Sequence, residues 1–371
     1  MIPFIDLAAQ RARIRDGLQS RVNAILDGGR YILGPEVQEL EAALAAFGGT
    51  RYALTCANGT DALALPLMAW ALRRKDAVFV PSFTFASTAE VVLWLGATPV
   101  FVDIDPDTYC MDPKSLARAV QWVKGQPDLE PSVVIAVDLF GQPTDYPAIS
   151  AICQDEGMRL IADSAQGFGC TLNGRHPAFW ADIATISFYP AKPLGCYGDG
   201  GAMVMDDETL AGLIKSLRNH GEGQDRYEYA RIGMNSRLDT LQAGILLEKL
   251  SIFPDEIKSR NRAAAFYRGG FGDVVKTPQV INGGVSTWAQ YTIEVEDRDR
   301  FRAGLSEAGV PTAVYYPVPI HMQSPYAACP CAPDGLPVTE AAAARVVSLP
   351  MDAYLEGGRA ETVIRAVRAA V

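Results

Sequence analysis

The chain has 371 residues, 49% of them hydrophobic, and a formal net charge of −10. That length and apolar share allow one large core plus a smaller second unit, and an acidic balance without a Lys/Arg block argues against nucleic acid as a partner. The opening Met1-Ile2-Pro3-Phe4-Ile5-Asp6 carries no basic leader, and no apolar run approaches bilayer length, so a cytoplasmic protein without a membrane partner is expected.

Helical spacing of Ile14, Leu18, Val22, Ile25 and Leu26 predicts a helix over 11–27 that stops at Gly28-Gly29. Gly34-Pro35 opens a second, with Val37, Leu40, Leu44 and Phe47 on one face. From Arg51 the texture alternates. Strands are predicted at Tyr52–Ala57, Ala77–Val80, Pro99–Ile104, Val133–Val137 and Arg159–Ala162, separated by helices at Thr60–Leu72, Ala86–Leu95, Pro113–Val123 and Asp145–Asp155. Two further apolar runs, Ile183–Phe188 and Ala202–Met205, flank a loop rich in Pro and Gly. Helices follow at Glu208–Asn219 and Leu238–Leu250; Pro254 is expected to break the pattern before a long helix over Glu256–Tyr267. The remainder reads as strand Tyr291–Val295, helix Phe301–Ala308, strand Thr312–Tyr316, and helices at Glu340–Val347 and Ala360–Ala370. This pattern predicts an α/β protein with a mostly parallel sheet in residues 1–250 and a smaller α+β domain in 251–371.

In such sheets ligands collect at the carboxyl ends of the strands, so the residues just past each strand become candidates. Lys192 lies between Pro190 and Pro193, in a stiff loop between two apolar runs. A confined, partly desolvated lysine loses its proton more readily and can form a Schiff base with a carbonyl. Asn58-Gly59-Thr60-Asp61 follows a strand and opens a helix, a setting that seats phosphate as well as it makes an ordinary N-cap. Phe85, past the next strand, can stack on a flat ring or simply pack. Asp163 ends a strand and can hold a ring nitrogen protonated, and Gln166, three residues on, can donate to a phenolic oxygen. Each feature alone has an ordinary structural explanation; together they match the needs of pyridoxal 5'-phosphate. No metal is expected: Asp103, Asp105 and Asp107 lack the glycine and glutamate of a calcium loop, and Cys329-Pro330-Cys331 is too isolated for zinc. The seven scattered cysteines read as reduced thiols.

The sequence resembles the DegT/DnrJ/EryC1 family of nucleotide-sugar aminotransferases, which are fold type I pyridoxal-phosphate enzymes. The resemblance runs through Tyr31-Ile32-Leu33-Gly34-Pro35, Asn58-Gly59-Thr60-Asp61-Ala62-Leu63, Asp163-Ser164-Ala165-Gln166, the lysine loop, Asn235-Ser236-Arg237-Leu238-Asp239 and Tyr316-Pro317-Val318-Pro319-Ile320-His321. It implies a seven-stranded, mostly parallel sheet in the large domain. Lys192 would be the covalent lysine and proton shuttle, Asp163 the partner of the pyridine nitrogen, Gln166 that of the ring hydroxyl, and Phe85 the stacking ring. Gly59, Thr60 and Ser187 would take the phosphate, with Asn235 reaching it from the second subunit of a homodimer.

The loop from Phe188 to Gly201, with Tyr189 where many relatives have histidine, is most similar to the subgroup acting on UDP-2-acetamido-2-deoxy-3-keto-glucuronic acid. Arg237 would then grip a carboxylate, unless it pairs with Asp239, while Tyr316 and His321 would line the sugar pocket. The implied reaction passes an amino group from L-glutamate to C3 of that sugar, in lipopolysaccharide O-antigen sugar biosynthesis. A neutral dTDP- or GDP-linked 3-keto or 4-keto-6-deoxy sugar is the alternative acceptor. An NAD-dependent sugar dehydrogenase is the alternative class, disfavoured because no GxGxxG follows the first strand.

Overall fold

The computed structural model describes residues 2–225 and 227–371. Two short helices open the chain, α1 (Leu7–Arg13) and α2 (Arg15–Gly28), where one was expected. Asp6 starts α1 by accepting from the Ala9 N–H, and the backbone leaves helical geometry at Ile14, whose side chain is buried. The new start was illegible because its cap precedes a polar stretch without apolar periodicity. Then come α3 (Pro35–Gly48), β1 (Tyr52–Cys56), α4 (Gly59–Ala69), β2 (Asp76–Pro81), α5 (Ser87–Trp94), β3 (Thr98–Val102), α6 (Pro113–Lys124), β4 (Glu130–Val137), α7 (Tyr146–Asp155), β5 (Arg159–Asp163), β6 (Thr171–Leu172), β7 (Ile183–Ser187), β8 (Gly201–Met205) and α8 (Glu208–Leu217). Local chemistry sets the boundaries: Asp112 caps α6 through the Lys114 and Ser115 N–H groups with Pro113 in the first turn, and Gly49, at φ 69°, ends α3.

Seven strands form one sheet in the order β1-β8-β7-β5-β4-β2-β3. Strands β7, β5, β4, β2 and β3 run parallel, while β8 runs against both β7 and β1. The mostly parallel seven-stranded sheet is therefore present. Its central strands are apolar on both faces, and Val78, Phe79, Val133, Ile135, Ile161 and Ala184 are fully buried beneath the helices. Removing each larger side chain from water stabilises the fold by roughly 1.5–3 kcal/mol. Among the described residues no helix is long and apolar enough to cross a membrane.

The expected break at Pro254 is absent: α9 runs unbroken over Thr240–Phe271. Proline removes one helical N–H, but Phe253 and Glu256 on either side are buried, as are Arg260 and Ala263 farther on, so tertiary packing outweighs the local cost of about 3 kcal/mol. The helix supplies Phe253 to the core under the sheet and Ala263, Tyr267 and Phe271 to a second apolar cluster. After α9 come β9 (Gly284–Val285), which pairs with β6, then β10 (Tyr291–Glu294), α10 (Arg298–Glu307), α11 (Pro337–Arg345), whose Ala342 and Ala343 join a third cluster with Phe83 and Phe140, β11 (Val346–Leu349) and α12 (Gly358–Ala370); β10, α10, β11 and α12 complete the second cluster. The strand expected at Thr312–Tyr316 is reduced to one bridge, Ala313 to Ser348, and β10 pairs instead with β11. Val346 and Val347, read as helix, are strand: a four-residue buried apolar run cannot be told from a helix end by periodicity.

Candidate active site

The carboxyl ends of β1, β2, β4, β5 and β7 share one edge of the sheet. Gly201 is opposite both Cys56 and Ser187, which brings the loop after β1 beside the end of β7. Here Asn58 caps α4 by accepting from the Asp61 N–H at 2.8 Å. The Gly59 and Thr60 N–H groups fall in the first turn, where a helix has donors to spare and partial positive charge. A Cβ on Gly59 would stand 2.6 Å from Ser187 Cβ, so only glycine lets the two segments close into one cradle. Ser187 Oγ accepts from the Tyr189 N–H at 3.3 Å, which leaves its own proton free to donate. The arrangement is suited to an anion.

Asp163 ends β5, buried. Its Oδ1 accepts from the Ala165 N–H at 3.1 Å and its Oδ2 from the Thr88 hydroxyl at 3.3 Å. Burial pushes this carboxyl above the ordinary carboxylate range, opposed by the Ala165 N–H and the charge of Lys192. A cation placed against it would be stabilised in turn. Gln166 accepts from the Phe140 N–H at 2.6 Å through Oε1, which turns its amide Nε2 toward the Tyr316 hydroxyl at 3.3 Å. Phe85 is 56% exposed and tilts against the Tyr316 ring with centroids 6.4 Å apart. Its exposed ring is available to stack on a flat partner.

Lys192 lies in the loop between β7 and β8, half-buried. Desolvation lowers its pKa to about 8, against the opposing charge of Asp163. The loop is held from behind by α9. Gln242 Oε1 accepts from the Tyr197 N–H at 2.9 Å, and the buried Lys249 donates from Nζ to the Gly195 carbonyl at 2.5 Å while sitting 4.3 Å from the centre of the Tyr197 ring.

On the opposite wall Ser236 is buried, donating to Asp61 at 2.7 Å and accepting from the Ala57 N–H at 3.1 Å, which ties its strand-like segment to the anion seat. Arg237 beside it donates from Nη1 to Asn219 Oδ1 at 3.2 Å, and its buried Nε has no partner. Among the described residues it makes no ion pair, with Asp239 or any other acid. Asn235 is exposed, and its side chain makes no hydrogen bond among the described residues. His321 is engaged on both ring nitrogens, Nδ1 with Ser82 Oγ at 2.8 Å and Nε2 with Glu340 at 3.4 Å. Sequence reasoning missed Asp138, Thr88, Gln242 and Lys249; Asp138 at least was accessible, since it directly follows β4.

An anion seat, a buried acid, an oriented amide and a lysine of lowered pKa on one edge of this sheet define a fold type I pyridoxal-phosphate-dependent transferase, and the residues present fit that cofactor. The comparison with known proteins agrees. Residues 12–368 match the DegT/DnrJ/EryC1/StrS aminotransferase family. A UDP-2-acetamido-2-deoxy-3-oxo-D-glucuronate aminotransferase of Pseudomonas aeruginosa is 46% identical over 360 residues, covering 96% of each chain. The crystal structure of a DegT DnrJ EryC1 StrS aminotransferase from Brucella abortus superposes with a TM-score of 0.98 at 47% identity, covering 100% of this chain and 99% of the other. That of DesV from S. venezuelae, in complex with a ketimine intermediate, gives 0.93 at 35% identity over 99% and 98%. The chain belongs to the DegT/DnrJ/EryC1/StrS family and is a pyridoxal-phosphate-dependent sugar aminotransferase.

Proposed function

We propose that this aminotransferase moves the amino group of L-glutamate to C3 of UDP-2-acetamido-2-deoxy-3-keto-glucuronic acid, in the cytoplasm, for a bacterial surface polysaccharide such as the lipopolysaccharide O-antigen. Arg237 carries the reading. It is a guanidinium at the site whose Nε is buried without a partner and whose Nη1 meets a neutral amide where a carboxylate would bind more strongly. A uronate and a glutamate each bring the missing carboxylate, one in each half of the reaction. The Pseudomonas aeruginosa relative, whose named substrate is a uronate, supports the same acceptor.

In this reading Gly59, Thr60 and Ser187 bind the cofactor phosphate, Phe85 stacks on its ring, Gln166 donates to its ring hydroxyl, and Asp163 keeps its nitrogen protonated. When bound, the cofactor withdraws electrons from the carbon that loses its proton. Lys192 takes that proton from the glutamate α-carbon and, in the second half, delivers one to C3 of the sugar. Its pKa of about 8 lets it serve both as amine and as ammonium near neutral pH. Tyr316 closes the sugar side above Phe85, and His321, braced by Ser82 and Glu340, shapes the neighbouring loop. The exposed Asn235 serves the phosphate of a second subunit, so the working unit is a homodimer. Residues 1–250 form the cofactor-binding domain and 251–371 the smaller domain packed on it.

Purified protein given glutamate and a panel of UDP- and dTDP-linked keto-sugars should aminate the uronate, with products identified by mass spectrometry. Equal kcat/KM on a neutral sugar, or an Arg237→Ala variant that keeps its preference for the uronate, would defeat the assignment.

A further inference from the structure

Asp138 follows β4 directly, next to the end of β5, and no role in the reaction has so far been given to it. We propose that Asp138 is a positioning residue that locks the Asp163–Gln166 turn in the register the cofactor requires. The inference rests on the reading of Asp163 and Gln166 as cofactor partners.

Contacts from both sides converge on this residue. Its N–H donates to the Asp163 carbonyl at 3.0 Å, joining the chain after β4 to the very residue that carries the buried acid. Its Oδ2 accepts from the Ser164 hydroxyl at 2.6 Å, and its Oδ1 accepts from the Tyr146 hydroxyl at 2.7 Å and the Thr144 N–H at 3.1 Å. Ser164 is thus pinned through its side chain between the two groups assigned to the cofactor. Gly167, which closes the turn, lies so near that a Cβ there would stand 2.3 Å from Asp138 Cβ.

Two residues past Asp138 the backbone turns left-handed, with φ 60° at Phe140 and 94° at Gly141. It is the Phe140 N–H that fixes Gln166 by donating to its Oε1. Asp138 therefore anchors one end of the turn directly and is followed at once by the donor that orients the other.

The carboxyl itself is fully buried. Burial pushes its pKa up to about 7, opposed by its donors Ser164, Tyr146 and Thr144. The titratable groups facing it are Asp163, Tyr146, Cys110 and Cys170, none of them cationic. Three donors on one buried carboxyl leave the Ser164 side chain no second place to go, because breaking any of these bonds strands a polar group away from water.

The test uses Asp138→Ala, Asp138→Asn, Ser164→Ala and the Asp138→Ala/Ser164→Ala double variant. For each, pyridoxal 5'-phosphate is titrated onto the apoprotein to obtain Kd, the apoprotein's thermal midpoint is recorded, and kcat and KM are measured on the loaded enzyme. Asp138→Ala should raise the cofactor Kd about tenfold and lower kcat at least as much, with KM for the keto-sugar nearly unchanged. Asp138→Asn should recover part of the loss. Ser164→Ala should act in the same direction, and the double variant should be no worse than Asp138→Ala alone, because both remove one anchor.

A lowered thermal midpoint with cofactor Kd and kcat within about twofold of wild type would overturn the proposal, as would single effects that multiply in the double variant. If Asp138→Ala fails to fold, an unchanged Kd in Ser164→Ala overturns it alone. Borohydride reduction and peptide mapping separate the two levels. A label away from Lys192 sinks the assignment of the site itself, whereas a label on Lys192 with an unchanged Kd sinks only the role of Asp138.

Discussion

The two walls of the site are finished to different degrees. On the β4–β5 wall the carboxyls of Asp138 and Asp163 and the amide of Gln166 are hydrogen-bonded within the chain, behind a cluster made of Phe83, Tyr109 and Phe140. On the α4 wall the Arg237 Nε is buried and unpaired, Asn235 stands exposed, and the first turn of α4 has backbone donors to spare. A wall whose polar groups are already satisfied can only hold one fixed partner in one orientation. A wall with spare donors gains free energy when an anion arrives. The closed wall suits the cofactor ring, and the open one suits anions: the cofactor phosphate, which stays through every turnover, and the substrate carboxylates, which come and go.

The comparison breaks most decisively at Lys192, in the loop between β7 and β8 and within reach of the charge of Asp163. Lys192→Ala should abolish turnover, a loss of at least about four orders of magnitude, and should leave bound cofactor removable by dialysis. In wild type, borohydride should fix the cofactor on the peptide carrying Lys192. Substantial turnover in the variant would remove the basis for every role assigned here. The same amine predicts a pH dependence of cofactor capture, since the rate at which the apoprotein takes up pyridoxal 5'-phosphate should rise with pH through about 8 as Lys192 loses its proton.

Next in size is the cradle that joins the walls. Gly59→Ala would drive a methyl group to 2.6 Å from Ser187 Cβ and 3.2 Å from its Cα, which a rotamer change cannot relieve. The segments must part, at a cost of about 1–3 kcal/mol, and the cofactor Kd should rise roughly 5- to 140-fold by the equivalence of 1.4 kcal/mol to a factor of ten. Isothermal titration of the apoprotein checks this. A Kd within twofold of wild type would mean that the first turn of α4 is no phosphate seat.

Arg237→Ala tests the open wall. Removing one partner of a charge-assisted pair should lower kcat/KM about 10- to 100-fold for a uronate and much less for a neutral keto-sugar, with cofactor binding unaffected. Arg237→Lys should recover only part, because a single ammonium cannot reproduce the bidentate fork. Equal losses on both sugars would reassign Arg237 to the fold.

How much of this was legible beforehand follows from the range of each signal. The βα alternation from Tyr52 to Asp163 could be read because each element has its own period and a local stop. The lysine between two prolines and the acid at a strand end are likewise short-range patterns. What escaped depends on contacts across the fold. Pro254 reads as a break because the residues that keep α9 straight, Phe253 and Glu256, draw their partners from distant segments such as Phe47, Gln10 and Tyr354. The Val346–Leu349 strand exists through its pairing with Tyr291–Glu294, some 55 residues earlier. Asp138 is the instructive case, since its position after a strand was readable but its three donors come from Thr144, Tyr146 and Ser164, which the sequence does not bring together.

The smallest expected effect distinguishes a site under tension from one at rest. The ordinary pKa of lysine is 10.5, and burial lowers that of Lys192 to about 8 in the apoprotein. Below pH 8 the amine is charged in both folded and unfolded chains, and the folded state bears the full cost of a desolvated ammonium. Between about 8 and 10.5 the folded protein releases the proton while the unfolded chain keeps it, so stability rises with pH over that window. Lys192→Met removes the cost. The apo variant should therefore be more stable than apo wild type at pH 7, by on the order of 1 kcal/mol after allowing for partial exposure, and the advantage should vanish by about pH 10.5. Lys249, whose pKa is also lowered to about 8, contributes the same slope to both proteins and cancels in the difference. Paired urea melts of the two apoproteins at several pH values measure it. Parallel stability curves would show that Lys192 rests unstrained, and the loop that α9 holds would then owe its position to Lys249 and Gln242 without opposing any cost at the lysine they serve.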